Sequence, residues 1–236
     1  MKEQNNFLKG IKDGIPICLG YLSVAFAFGI FATDCGLTVL QTLLISMTNV
    51  TSAGQLAGVP IIVAGGTLAE LALAQLVINL RYALMSVSLS QKPGPTVRRI
   101  DRFIISFVNT DEVFAVASSQ EGTVGKRYLY GLILTPYLGW SLGTLLGAGA
   151  GNILPESVTS ALGIAIYGMF VAIVIPACKK RRATAVCVLI AVALSCVFAL
   201  VPVLSAVPSG FTVILCAVAA SVLMAILAPV AEVHYE

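Results

Sequence analysis

Four stretches of this chain, Tyr128 to Ala150, Ser157 to Cys178, Ala183 to Val203 and Ser209 to Pro229, each run for about 20 residues or more without a charged side chain. Backbone placed in hydrocarbon must satisfy its own hydrogen bonds, so only helices and closed barrels cross a bilayer, and about 20 apolar residues span a core of about 30 Å as a helix. Runs of this kind are membrane spans, and Ile15 to Thr33 makes a fifth. The composition agrees: 58% of the 236 residues are hydrophobic and 11% charged, with a mean hydropathy of +0.97, whereas about a quarter of a soluble domain is charged. We expect an all-α integral membrane protein, a polytopic helical bundle forming a single transmembrane transporter domain over residues 1–236.

Three other apolar segments are irregular. Leu37 to Val50 is short for a span and runs into Asn49, Thr51, Ser52, Gly54, Gln55 and Gly58 before Pro60, whose ring removes a helix hydrogen bond. Pro60 to Asn79 has full length but carries Gly65, Gly66 and a mid-segment Glu70, and ends at Asn79-Leu80-Arg81-Tyr82. Phe103 to Ser118 is interrupted by Asn109, Thr110, Asp111 and Glu112. Irregular backbone at membrane depth is tolerated where protein or a water-filled cavity satisfies it, so segments 37–58 and 103–118 read as broken or re-entrant. With a full helix from Pro60, the expectation is about six full spans plus two partial ones, with seven or eight full spans as the competing number.

Orientation follows the Lys and Arg bias of short loops. The amino end (Lys2, Lys9, Lys12), the loop with Lys92, Arg98, Arg99 and Arg102, the pair Lys126-Arg127 and the run Lys179 to Arg182 all belong on one side. This predicts a multi-pass protein of the cytoplasmic (inner) membrane with its N-terminus in the cytoplasm, and an odd number of crossings between the first span and Asn79. A cleaved signal peptide fits the basic amino end, but the apolar stretch is long for one, which favours an uncleaved first span. The net charge of +3 is accounted for by these loops and gives no reason to expect a nucleic-acid partner.

Enzymatic chemistry lacks its usual parts. The single histidine is His234, no hydrolase or phosphate-binding motif occurs, and the six cysteines have no C-x-x-C spacing. We expect no catalytic residues, no metal and no cofactor. Polar groups within the apolar runs carry the functional signal instead. A charge at the centre of a membrane helix costs about 2.5–3.5 kcal/mol and usually lines an interior pathway or meets a partner. The candidates for substrate binding or proton coupling are Gln55, Glu70, Asn79, Arg81, Asn109, Asp111 and Glu112. Glu70 and Arg81, about three helical turns apart, fall on nearly one face. Asp111 and Glu112 point about 100° apart on a continuous helix, a restriction that a break at Asn109-Thr110 relaxes. Blander readings stand beside these: Arg81 snorkelling to the interface, Asp111 and Glu112 in a surface hairpin, and Gln55 in a packing patch of small residues. Pro16 with Leu19-Gly20-Tyr21 also echoes Pro136 with Leu138-Gly139-Trp140, about half a chain away, a faint sign of duplicated halves.

Taken together, Gly14 and Pro16 in the first span, Ser52-Ala53-Gly54-Gln55, N-L-R-Y at 79–82 with Met85, T-D-E-V-F-A at 110–115 and the run ending Pro136-Tyr137-Leu138-Gly139-Trp140 resemble the AzlC family over nearly the whole chain. That family comprises large subunits of branched-chain amino-acid exporters. The resemblance implies secondary active export of amino acids and a small hydrophobic AzlD-type membrane subunit as partner. Leu56 departs from it, since the residue after the glutamine is often Phe, which leaves the side-chain specificity of the pocket open. The rival reading is a non-transporting accessory subunit that binds or stabilises a partner. A zwitterionic amino acid needs an acceptor for its ammonium, donors for its carboxylate and an apolar wall, which Asp111 or Glu112, Arg81 with Asn79, and the surrounding helix faces can supply.

Overall fold

Helix-terminating chemistry divides the chain more sharply than hydropathy does. The computed structural model describes residues 4–150, 181–202 and 206–228, with positions 171, 174, 175, 178, 179 and 204. Among them are helices α1 (Phe7–Asp34), α2 (Val39–Thr48), α3 (Ser52–Val63), α4 (Leu68–Leu89), α5 (Arg99–Phe107), α6 (Asp111–Ser119), α7 (Lys126–Ala150), α8 (Arg182–Leu200) and α9 (Ser209–Leu227). Of these, α1, α4, α7, α8 and α9 are long and apolar enough to cross a membrane. The expected span Ser157 to Cys178 lies, apart from scattered positions, outside the described residues.

Both interrupted segments are indeed broken helices. The first is split at 49–51 between α2 and α3, the second at 108–110 between α5 and α6. The expected full helix from Pro60 needs correction. Pro60 sits inside α3, and the stop comes at Gly65, which adopts φ +70. Gly66 N–H bonds Ile61 O at 2.8 Å and Gly65 N–H bonds Ile62 O at 3.1 Å, the paired bonds of a Schellman motif with its left-handed residue just past the helix. Gly36, at φ +95, closes α1 in the same way. The next long helix therefore starts at Leu68, and Asn79 to Tyr82 fall in the middle of α4 rather than at an end.

The chain forms two compact units, 1–59 with 78–166, and 60–77 with 167–236. In the first, α1 and α7 lie against one another along most of their length. A Cβ on Gly10 would fall 2.1 Å from Tyr128 O, one on Gly139 2.6 Å from Cys18 O, and one on Gly147 2.0 Å from Phe26 O. Contacts that advance together along both helices mean that α1 and α7 run parallel, with the Pro16 and Pro136 neighbourhoods side by side. The core of this unit gathers Ile17, Tyr21, Leu129, Leu132 and Trp140, with Tyr21 and Trp140 edge to face at 5.2 Å.

The starts of α1 and α7 are tied together at the basic end. Val124 bridges Gln4 and Pro93, and Lys92 Nζ donates to Gln120 O at 2.5 Å. Asp101 accepts from the Arg98 backbone N–H at 2.8 Å and from the Tyr130 hydroxyl at 2.8 Å. Those two donors hold its carboxyl below the usual carboxylate range. A depressed folded-state value adds stability above the unfolded value and loses it as the pH falls through the folded one. Thermal unfolding of the Asp101→Asn chain should start from a lower midpoint at neutral pH and lose less than the native chain as the pH drops below about 4.

In the second unit, α8 and α9 pack on each other, and none of the described α8 residues is buried, as suits a helix whose sides face lipid.

Candidate functional site

Each break opens the backbone at a polar triplet, Asn49-Val50-Thr51 or Val108-Asn109-Thr110, and each presents two helix ends. Carbonyls at the ends of α2 and α5 carry partial negative charge, and amides at the starts of α3 and α6 carry partial positive charge. Donors on α7 hold the first break in place. Trp140 Nε1 donates to Ser46 O at 3.0 Å, the Tyr137 hydroxyl to Met47 O at 3.1 Å, and the Ser46 and Thr144 hydroxyls meet at 2.6 Å. The bonds from Trp140 and Tyr137 satisfy carbonyls that α2 leaves free when it stops.

Between the two breaks and the middle of α4 lies a cavity of about 180 Å³, lined by Asn49, Thr51, Asn79, Tyr82, Phe107 and Asn109 among others. It is smaller than the roughly 300–1,000 Å³ of pockets for drug-sized ligands, a size for a small metabolite. A chain of polar contacts runs from it. The Tyr82 hydroxyl reaches Thr51 Oγ1 at 3.3 Å. Arg81 donates to the Tyr82 hydroxyl at 2.9 Å, and its guanidinium lies 4.8 Å from the centre of that ring. The same guanidinium pairs with Asp111 at 2.7 Å. Beside Asp111, Glu112 accepts from the Tyr21 hydroxyl on α1. One polar path thus joins the first break, α4, the start of α6 and α1.

The predicted residues can now be placed. Arg81 and Asp111 are brought together, and their side chains remain 53% and 45% exposed, open enough for a ligand to exchange with either partner. Arg81 sits in the interior of α4 and is paired with Asp111. Asp111 and Glu112 serve separate partners, so the break does not bring both to one ligand. Val108, Asn109 and Thr110, at the break itself, are buried. Asn109 lines the cavity and donates from Nδ2 to Ser86 Oγ at 3.0 Å, while its Oδ1 has no partner among the described residues. Asn79 lines the same cavity. Gln55, one turn into α3, is buried, and neither of its amide atoms has a hydrogen-bond partner among the described residues. Leaving such a group unsatisfied costs about 1–3 kcal/mol, more than a packing role explains.

Glu70 belongs to the second unit. It sits in the first turn of α4, with its own N–H bonded to Thr67 Oγ1 at 3.1 Å, and its carboxylate accepts from Gly210 N–H at 3.0 Å. That amide is in the first turn of α9, so Glu70 caps a helix start, where negative charge is favourable. The expected mid-segment charge is thus a capping charge at a helix start. Tyr21, Thr51, Tyr82 and Ser86 were not anticipated as site residues. The signal was present for Tyr21, a phenol deep in an apolar run that needs a hydrogen-bond partner when buried. Among the described residues no three of His, Cys, Asp and Glu group to hold a metal ion.

The AzlC protein family model matches residues 16–154, a stretch that contains both breaks and the whole polar path. The inner membrane protein YgaZ of Escherichia coli K12 is 28% identical over 187 residues, covering 76% of each chain. An uncharacterized membrane protein of Archaeoglobus fulgidus is 34% identical over 181 residues, covering 76% of this chain and 79% of the relative. One from Helicobacter pylori 26695 is 26% identical over 155 residues, 63% of this chain and 67% of its own. No solved structure matches. With its helical architecture, membrane-protein relatives and a family model covering more than half of its length, the chain belongs to the AzlC family as a membrane protein with a transport-related role.

Proposed function

We propose that this chain moves small apolar amino acids, branched-chain ones foremost, out across the cytoplasmic membrane as the large subunit of a two-component secondary exporter. The observation that carries this reading is the cavity of about 180 Å³ set between two helix breaks, next to a half-open Arg81–Asp111 pair. Broken helices beside a small cavity are how many secondary carriers hold a charged substrate at membrane depth.

The chemistry of a zwitterion suits that setting. Its carboxylate takes Arg81 and the amides at the starts of α3 and α6. Its ammonium takes Asp111, the free Asn109 oxygen and the carbonyl ends of α2 and α5. Val50 and Phe107 offer apolar wall to its side chain. Binding then opens the Arg81–Asp111 pair without leaving either charge alone, because the substrate supplies both replacements. The small AzlD-type subunit, the driving gradient and the cytoplasmic N-terminus are parts of this proposal.

Efflux of labelled leucine from vesicles holding this chain, with and without a co-expressed small partner subunit, tests it. Leucine release that requires this chain is expected. Leucine retained in both preparations overturns the reading, and leucine moved by the small subunit alone makes this chain an accessory.

A further inference from the structure

A second and larger cavity, of about 380 Å³, lies under α5 in the same unit, and neither the motifs nor the relatives assign it. Its rim carries the exposed Arg99 and Arg102, and its interior is formed by buried Leu89, Val97 and Ile105. Pro93, also on its wall, pairs with Val124 where the basic loops are tied together, so this cavity opens at the basic end. Ser106 and Asn109 line both this cavity and the smaller one. Asn109 therefore stands in the wall between them, and its side chain donates from Nδ2 to Ser86 Oγ at 3.0 Å while Oδ1 has no partner among the described residues. It sits in the break between α5 and α6, where no continuous helix fixes its position. Its buried, unpartnered Oδ1 makes the closed position costly, and an ammonium group arriving from the larger cavity removes that cost.

We propose that the larger cavity is an outer station for the exporter's substrate, a small amino acid with an apolar side chain, and that the Asn109–Ser86 hydrogen bond is the inner gate it passes. This rests on the transport reading above. At the outer station the substrate's carboxylate meets Arg99 and Arg102, and its side chain lies against Leu89, Val97 and Ile105. The ammonium then reaches Asn109, which releases Ser86 and joins the two cavities.

Single cysteines placed in the full chain, Val97→Cys in the outer cavity and Val50→Cys at the inner one, test this with a membrane-impermeant maleimide. The reagent is applied from the basic-loop side of inside-out vesicles, and labelling is scored as excess over the parent chain. L-Leucine should slow labelling at Val97→Cys, and Arg99→Gln with Arg102→Gln should remove that protection. Ser86→Ala should speed labelling at Val50→Cys by roughly three- to tenfold, the population change expected when one ordinary hydrogen bond is lost. Ser86→Thr, which keeps the hydroxyl, should not. Unchanged labelling of Val97→Cys in the Ser86→Ala chain shows that the fold is intact. An unchanged Val50→Cys rate in that chain overturns the gate. Leucine that protects Val50→Cys but not Val97→Cys overturns the outer station and leaves the transport reading standing. Protection at neither site, together with no efflux, overturns both.

Discussion

Arg81→Ala is expected to lower leucine efflux by roughly a hundredfold. The ion pair to Asp111 is the joint at which the α4 part of the polar path meets the start of α6. Truncating Arg81 leaves Asp111 without its cation; on the transport reading the pair lies at membrane depth, where an uncompensated charge costs about 2.5–3.5 kcal/mol, and that converts to roughly two powers of ten. Part of such a loss comes from a destabilised fold, so the double variant Arg81→Gln with Asp111→Asn is the informative companion. It removes both charges together, and it should return the protein to native levels in the membrane while efflux stays lost. Native efflux from that double variant would reduce the pair to a structural tie and remove it from the substrate's path.

The existence of both breaks, and the place of the second at Asn109-Thr110, were legible in the sequence because the physics there is local. Asn49 and Thr51, or Asn109 and Thr110, in an otherwise greasy run have no satisfactory place on a lipid-facing helix, so an interruption is the simplest outcome. Terminators were harder to rank. Pro60 and Gly65 both signal a stop, and the left-handed conformation open to glycine decided between them, because it lets Gly66 and Gly65 return two hydrogen bonds to the end of α3. The setting of Glu70 was hidden for a related reason. Its partner is the backbone N–H of Gly210, and side-chain patterns do not announce a backbone donor 140 residues away. Pairing between Arg81 and Asp111, and between Glu112 and Tyr21, depends on which faces of α1, α4 and α6 meet. Periodicity cannot supply that when most positions on those helices are apolar.

The parallel contact between α1 and α7 governs the second large effect, expected for Gly147→Ala. A helix-interior Gly→Ala change normally favours folding by about 0.5–1 kcal/mol through reduced chain entropy. At Gly147 the added methyl would stand 2.0 Å from Phe26 O, and the obstacle is backbone of the neighbouring helix, which has no rotamer to change. Overpacking of this kind costs about 1–3 kcal/mol. For a chain of this length each kcal/mol moves the unfolding midpoint by roughly 2–4 °C. Gly20→Ala, on α1, is the matched control, because nothing described lies within 4 Å of the position its Cβ would take. Thermal unfolding in detergent should place Gly147→Ala several degrees below the native chain, with Gly20→Ala at or above it. The effect should reach transport as well. Tyr21 on α1 holds Glu112, while Trp140 on α7 holds the end of α2. Separating α1 from α7 therefore moves the supports of both breaks at once. Equal midpoints for the two alanine variants would mean that the helices part freely at Gly147, and that close approach along this seam does not position the site.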